Sequence, residues 1–350
     1  MRGAVQRALL KAAGKIVIDD APVPPPAAGE LLLRITRVGV CGSDMHMYRN
    51  GQIGGIRIDD AGGPFVPGHE AAGVVEAVGE GCPAEWVGRR VAVEPAINCG
   101  LCPWCLAGQP NVCPEHRFLG LPGCDGALRQ YMTHPARLCV PVGDELDDDE
   151  IVMLEPLAIA VHALDRAGWV GGQGALILGA GPIGLSILCL LASAGAETIV
   201  VTDKLDYRLD LAARLGATCT LNPTRENVPD AVRKISGGYG LPFVFEAVGE
   251  PETFEHMVDC AAPAGVVAVV GISAEDKLGF THSQARRKGL DLRMVRRSNR
   301  TLERALRWAV ARRLPLRQMV THHHGLPDVQ KAYKQVSDYA DKVVKSVIQP

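Results

Sequence analysis

Cys41, His69 and Glu70 are the residues of this chain best suited to hold a metal ion and still leave room for a reactant. Thiolate, imidazole and carboxylate are all zinc ligands, and three protein ligands with one open coordination position describe a catalytic rather than a structural zinc. Such an ion lowers the pKa of a hydroxyl bound to it, so an alcohol can give up its proton near neutral pH. A second group differs in character. Cys99, Cys102, Cys105 and Cys113 place four thiols in one short loop, turned by Gly100, Pro103 and Gly108. Four thiolates close a tetrahedral shell and leave no place for a reactant, which predicts a structural zinc. An iron–sulfur cluster takes the same four ligands, but nothing else in the chain points to electron transfer. Cys82, Cys124, Cys139, Cys189, Cys219 and Cys260 are scattered and read as isolated thiols.

The third chemical feature is the run Gly179-Ala180-Gly181-Pro182-Ile183-Gly184, a Gly-x-Gly-x-x-Gly pattern that is weak by itself. Its setting strengthens it. The apolar run Ala175 to Leu178 precedes it, a helical pattern from Ile183 to Ala194 follows, and Asp203 closes the next apolar run. Glycines there let the backbone turn tightly against a pyrophosphate, whose charge meets the free amides and positive dipole end of the helix. An acid in the position of Asp203 accepts hydrogen bonds from ribose hydroxyls and repels a 2′-phosphate, which favours NAD over NADP.

These sites need elements to carry them. With 350 residues, 47% of them hydrophobic, two domains are the expectation. The first 150 or so residues are rich in Gly and Pro, with short runs such as Leu31 to Ile35 and Gly73 to Val78 that read as strands without intervening helices. That pattern predicts a partly open β-barrel or sandwich. From Glu155 the rhythm changes: strand-like runs at 175–178, 198–201, 243–245 and 266–270 alternate with helical stretches such as 207–215. Continuous apolar runs joined by crossover helices predict a doubly wound parallel sheet. Helices are expected at 301–312 and 326–336, a short acidic loop or helix start at 144–150, and a strand edge or loop at His322-His323-His324. The domains are thus read as 1–154, completed by 292–350, and 155–291.

A net charge of −2 gives no footprint for nucleic acid or an anionic membrane. No window holds 18 uncharged apolar residues, and Met1-Arg2-Gly3-Ala4-Val5-Gln6-Arg7 is not followed by an apolar run of signal-peptide length. A cytoplasmic protein with reduced thiols and a small-molecule partner is expected.

Taken together, Cys41-Gly42-Ser43-Asp44-x-His46, Gly68-His69-Glu70-x2-Gly73, the four-cysteine loop and the glycine fingerprint resemble the zinc-dependent medium-chain alcohol dehydrogenase family over the whole chain. The stretches Gly51-Gln52-Ile53-Gly54, Phe118-x3-Pro122-x2-Asp125-Gly126 and Leu154-Glu155-Pro156-Leu157-Ala158 look like its polyol branch, typified by sorbitol dehydrogenase. The resemblance implies a GroES-like barrel plus a Rossmann domain, two zinc ions, NAD, and a homodimer or homotetramer. It implies that Cys41, His69 and Glu70 hold the catalytic zinc, with Glu155 a fourth or exchanging ligand; the spacing leaves open which carboxylate touches the metal. Ser43 and His46 fall where the family relays the alcohol proton, an imidazole being suited to that task near neutrality. Cofactor contacts carry over to Gly179, Gly181, Ile183, Gly184, Asp203, Arg208 and the segment Val270-Gly271-Ile272. Tyr48, Phe118 and Arg296 fall near substrate positions, although Met47 stands where sorbitol dehydrogenases often place an aromatic. Threonine and butanediol dehydrogenases share several of these motifs. The arginines between 286 and 317 raise a phosphorylated or carboxylated substrate as an alternative to a solvated helix face. A catalytically silent nucleotide-binding sensor would be expected to have lost Cys41, His69 or Glu70, and all three are present.

Overall fold

The computed structural model describes residues 4–350; Met1, Arg2 and Gly3, with which the sequence reading opens the first domain, lie outside the described residues. The chain divides into two compact units, one of residues up to 155 with 302–311 and 316–350, the other of 156–301 with 312–315.

The first unit is built on a seven-stranded sheet whose middle strand, Glu30–Gly39, carries the apolar run Leu31 to Leu33. It pairs antiparallel with Glu70–Val78 on one side and Lys345–Gln349 on the other, while Tyr131–Pro135 also pairs with it. The register decides where chemistry can occur. Gly39 lies opposite both Glu70 and Val347, so the chain entering Cys41, the start of the Glu70 strand and the start of the Lys345 strand converge at one end of the sheet. Leu31, Leu33, Val38, Val66, Leu128 and Met132 fill the core beneath. This is the GroES-like β-barrel of the sequence reading.

The acidic run resolves into a helix, Asp148–Val152, whose start is capped reciprocally. Asp147 Oδ1 accepts from Glu150 N at 2.9 Å and Glu150 Oε2 accepts from Asp147 N at 3.0 Å. The histidine triplet lies on Val320–Gly325, the edge strand of the sheet. Its imidazoles face separate partners: His322 meets Asp341, His323 meets Asp149 and His324 meets Gln335. The triplet is a strand edge.

The second unit is a six-stranded parallel sheet in the order Cys219–Leu221, Ile199–Thr202, Ala175–Leu178, Leu241–Glu246, Ala261–Val269, Asp291–Met294. Numbered along the chain this is 3-2-1-4-5-6, the doubly wound arrangement. Leu176, Leu178, Val200, Val244 and Val267 are fully buried, which explains why these strands read as unbroken apolar runs. One expectation about the boundary needs correcting. Asp291–Met294 pairs with Ala261–Val269 as the sixth strand, so residues 292–301 stay with the parallel sheet, and the chain returns to the first unit only at Leu302.

Candidate metal centre and dinucleotide site

Cys41 is the residue before the helix Gly42–Asn50, and its backbone is extended, at φ −91° and ψ 154°. Asp44, three residues on, accepts from Cys41 N through Oδ2 at 3.1 Å. The thiol therefore stands at a helix N-terminus, where backbone amides and dipole favour negative charge. The sheet brings His69 and Glu70, 4% and 1% exposed, to the same place. Ligand atoms of Cys41, His69 and Glu70 lie within 4.8 Å of one another. Gly39 is required here, because a Cβ would collide with the Glu70 carboxylate.

Two partners of this cluster carried no role in the sequence reading. Asp44 Oδ1 sits 3.4 Å from His69 Nδ1, the carboxylate–imidazole arrangement that fixes ring orientation and leaves the other nitrogen to a metal. Burial opposes protonation of His69, but Asp44 and Cys41 outweigh it and hold its pKa well above the usual value. Lys345 Nζ donates to Glu70 Oε1 and Oε2 at 2.7 and 2.6 Å, and both side chains are 1% exposed. Asp44 was visible within the Cys41 motif. Lys345 had only the faint signal of a lone lysine in an apolar terminal run.

Of the other predicted residues, Phe118 lies against the cluster, its ring 5.1 Å from that of His69. Glu155, in the first turn of the helix Leu154–Ala167, is buried, and its Oε2 has no hydrogen-bond partner among the described residues. Burial first, then the neighbouring Glu70 and Glu94, push its carboxyl up to about 8, with His69 and Lys345 opposing. Ser43 and His46 sit on the helix that Cys41 starts, both half-buried. Tyr48, on the same helix, is buried; Gln330 Nε2 donates to its hydroxyl at 2.7 Å and its ring packs edge-on against Tyr333. Arg296 is exposed and belongs to the second unit.

The donors suit zinc: one thiolate, one imidazole and one carboxylate, borderline-soft and hard ligands together, beside a buried carboxyl oxygen with no partner of its own. This arrangement makes a prediction about Glu155. With its carboxyl pushed up to about 8, Glu155 holds a proton at neutral pH in the metal-free protein, and a cation that bound there would displace it. At neutral pH, zinc uptake by a Glu155→Gln variant should release about one proton fewer than uptake by the wild type. Calorimetry in two buffers of different ionisation enthalpy measures this. The difference should vanish well above pH 8, where Glu155 is already ionised, and equal counts at neutral pH would refute the assignment.

The sulfurs of Cys99, Cys102, Cys105 and Cys113 also lie within 4.8 Å of one another. Their loop is held by its own backbone: Cys99 Sγ accepts from Leu101 N and Cys102 N at 3.4 and 3.3 Å, and Cys102 Sγ from Cys105 N at 3.5 Å. Those two amides pull the Cys99 thiol down to about 6, whereas burial first and then Cys102 push Cys105 up to about 12.

In the second unit the helix Pro182–Ser193 starts from Gly181, with Pro182 in its first turn. A Cβ at Gly184 would strike the Gly179 carbonyl, which is how closely the glycine turn is wound. Asp203, immediately after Ile199–Thr202, accepts from Ala180 N through Oδ2 and from Leu205 N through Oδ1, each at 2.9 Å, and Arg208 Nη1 lies 3.8 Å from Oδ2. Acid, arginine and glycine turn are thus together. Val270 is buried, whereas Ile272 stands 49% exposed. A tight glycine turn on a helix N-terminus, with an acid beside it, fits a dinucleotide.

Residues 27–144 match the alcohol dehydrogenase GroES-like domain, and residues 182–311 match the zinc-binding dehydrogenase domain. The chain is 30% identical to the sorbitol dehydrogenase of Bacillus subtilis over 96% of its length and 94% of that protein's. It is 36% identical to the sorbitol dehydrogenase of Bombyx mori, over 93% of each. A solved structure of an Escherichia coli alcohol dehydrogenase with NADH superposes with a TM-score of 0.91 at 27% identity, covering 100% of both chains. This protein is an oxidoreductase, and zinc and a nicotinamide dinucleotide are its cofactors. It belongs to the zinc-dependent medium-chain alcohol dehydrogenase family, in the polyol branch.

Proposed function

We propose that the protein oxidises a secondary hydroxyl of a polyol or sugar-like alcohol to a ketone, with NAD as acceptor. The observation that carries this reading is the Cys41–His69–Glu70 cluster, with Glu155 and Phe118 against it, in a chain similar to sorbitol dehydrogenases. Cys41, His69 and Glu70 would hold one zinc, with Glu155 as fourth or exchanging ligand, and Cys99, Cys102, Cys105 and Cys113 a second, structural one. When bound, the first ion supplies the Lewis acidity that makes a hydroxyl acidic near neutral pH, and the dinucleotide supplies the two-electron acceptor.

The remaining work falls to the chain itself. Asp44 fixes the His69 ring through Nδ1. Phe118 offers an apolar face beside that imidazole, which excludes water and suits the carbon side of a polyol. Ser43 Oγ and His46 take the hydroxyl proton and pass it outward, a hydroxyl and an imidazole both being able to accept and donate. Gly179, Gly181, Ile183 and Gly184 cradle the pyrophosphate, while Asp203 and Arg208 address the adenosine ribose. The Asp203 carboxylate disfavours a 2′-phosphate and so selects NAD. The exposed edge strand Asp291–Met294, with Leu292 and Met294 open to solvent, supports assembly of the parallel sheets as a homodimer or homotetramer.

Zinc-loaded protein with NAD should show its highest kcat/KM on sorbitol or xylitol, above threonine and 2,3-butanediol by roughly tenfold or more. NADH formation reports each rate. Turnover of threonine or the diol with no polyol activity would replace this substrate class with the neighbouring one.

A further inference from the structure

Glu246, the last residue of the strand Leu241–Glu246, is 0% exposed and has a place in none of the chemistry above. Its side chain and its backbone hold two different segments. Oε1 accepts from Val248 N at 2.9 Å, Gly249 N at 2.7 Å and Thr253 Oγ1 at 2.8 Å, which fixes the turn after the strand and the start of the helix Pro251–Cys260. Its carbonyl accepts from Val270 N at 2.8 Å and Gly271 N at 2.9 Å, which fixes the end of the neighbouring strand. The second carboxyl oxygen, Oε2, is buried with no hydrogen-bond partner among the described residues, and a Cβ on Gly271 would lie 2.6 Å from it.

Each segment held in this way ends in an open apolar side chain: Val248 is 38% exposed and Ile272 49%. The first of them adjoins the glycine turn, because a Cβ on Gly179 would come within 2.6 Å of Val248 Cγ2. The Glu246 carboxyl thus fixes the turn that carries Val248, and its backbone carbonyl the segment that leads to Ile272, two open apolar side chains at the C-terminal ends of adjacent parallel strands, where ligands of this fold bind. A flat, weakly polar ring is the chemistry such side chains accept.

We propose that Glu246 is a positioning residue for the nicotinamide half of the dinucleotide: its carboxyl holds the turn that presents Val248 beside the segment carrying Ile272, and it leaves the adenosine half to Asp203 and Arg208. The proposal rests on the assignment of residues 179–184 and 270–272 to the cofactor. Its test compares NADH with ADP-ribose, which lacks only the nicotinamide. Glu246→Ala removes every side-chain bond, and Glu246→Gln keeps the size and an acceptor oxygen.

NADH affinity, read from its fluorescence, should fall by about tenfold or more in Glu246→Ala and by less in Glu246→Gln. The ADP-ribose dissociation constant, read by calorimetry, should stay within about twofold in both variants. Should Glu246→Ala fail to fold, the unequal effect on the two probes must still appear in Glu246→Gln. Equal weakening of both probes would mean a general structural role and overturn the proposal, as would unchanged NADH affinity in folded variants. If the wild type binds neither probe, the cofactor assignment itself fails, and the proposal falls with it.

Discussion

A Cys41→Ser variant is expected to fold normally, to bind one zinc per chain instead of two, and to lose about a thousandfold or more in kcat/KM, the rate equivalent of ~4 kcal/mol of lost charge stabilisation. The size of the loss follows from ligand chemistry. A serine hydroxyl is not ionised at neutral pH and is a poor zinc ligand, whereas a thiolate is among the best. Retention of the fold follows from the position. Cys41 precedes the helix Gly42–Asn50, with its backbone N–H held by Asp44 and its side chain only half-buried. Serine is a favoured residue there, so stability should change by no more than about 0.5 kcal/mol. The thiols from Cys99 to Cys113 are untouched and keep their own ion. Zinc analysis, circular dichroism and steady-state rates on the same preparation check all three statements. Undiminished turnover, or a second zinc retained by the variant, would remove Cys41 from the metal centre.

The parallel sheet was legible in the sequence because its strands are covered on both faces. Leu176, Val200, Val244 and Val267 are fully buried, so the apolar runs are continuous and hard to mistake. The first unit was harder to read. The opening hairpin, Val5–Ala12 with Lys15–Ala21, has few buried positions and no clean alternation, and it escaped notice. The sixth parallel strand, Asp291–Met294, escaped for the same reason: it is an edge, largely exposed, and reads as a polar loop.

The metal site divides along a similar line. Side chains close together in sequence, such as His69 with Glu70 or the four cysteines, announce themselves by spacing. Those that the sheet brings in from elsewhere do not. Lys345 meets Glu70 across 275 positions of sequence, and only the antiparallel pairing of Lys345–Gln349 with Glu30–Gly39 makes the contact. Tyr48 illustrates the converse. Its place beside Ser43 and His46 suggested a substrate contact, but helical geometry turns it toward Tyr333 and Gln330. A sequence neighbour on a helix need not share a face.

Replacing Lys345 should have the largest effect on stability. Burial pulls its pKa down, but Glu70 and Cys41 more than offset this and hold it above the ordinary lysine value. The ammonium is therefore charged at neutral pH, and its stabilising effect is fully present there, being lost only at strongly alkaline pH. A buried pair of this kind gains little over an apolar pair of similar volume, yet breaking it leaves one charge stranded. Lys345→Met in the zinc-free protein should lose about 3–5 kcal/mol in urea unfolding. Adding Glu70→Gln to that variant removes the stranded charge and should restore a large part of the loss, giving a favourable coupling of about 1–3 kcal/mol in the double-mutant cycle. Zinc that binds the folded state more tightly than the unfolded chain stabilises it, and the positive charge of an ion held by Glu70 would serve that carboxylate in place of the ammonium. Zinc should therefore raise the midpoint of Lys345→Met by more than it raises that of the wild type. Additive losses in the double variant, or a smaller zinc effect in Lys345→Met, would show that Lys345 does not serve as the counter-charge to Glu70.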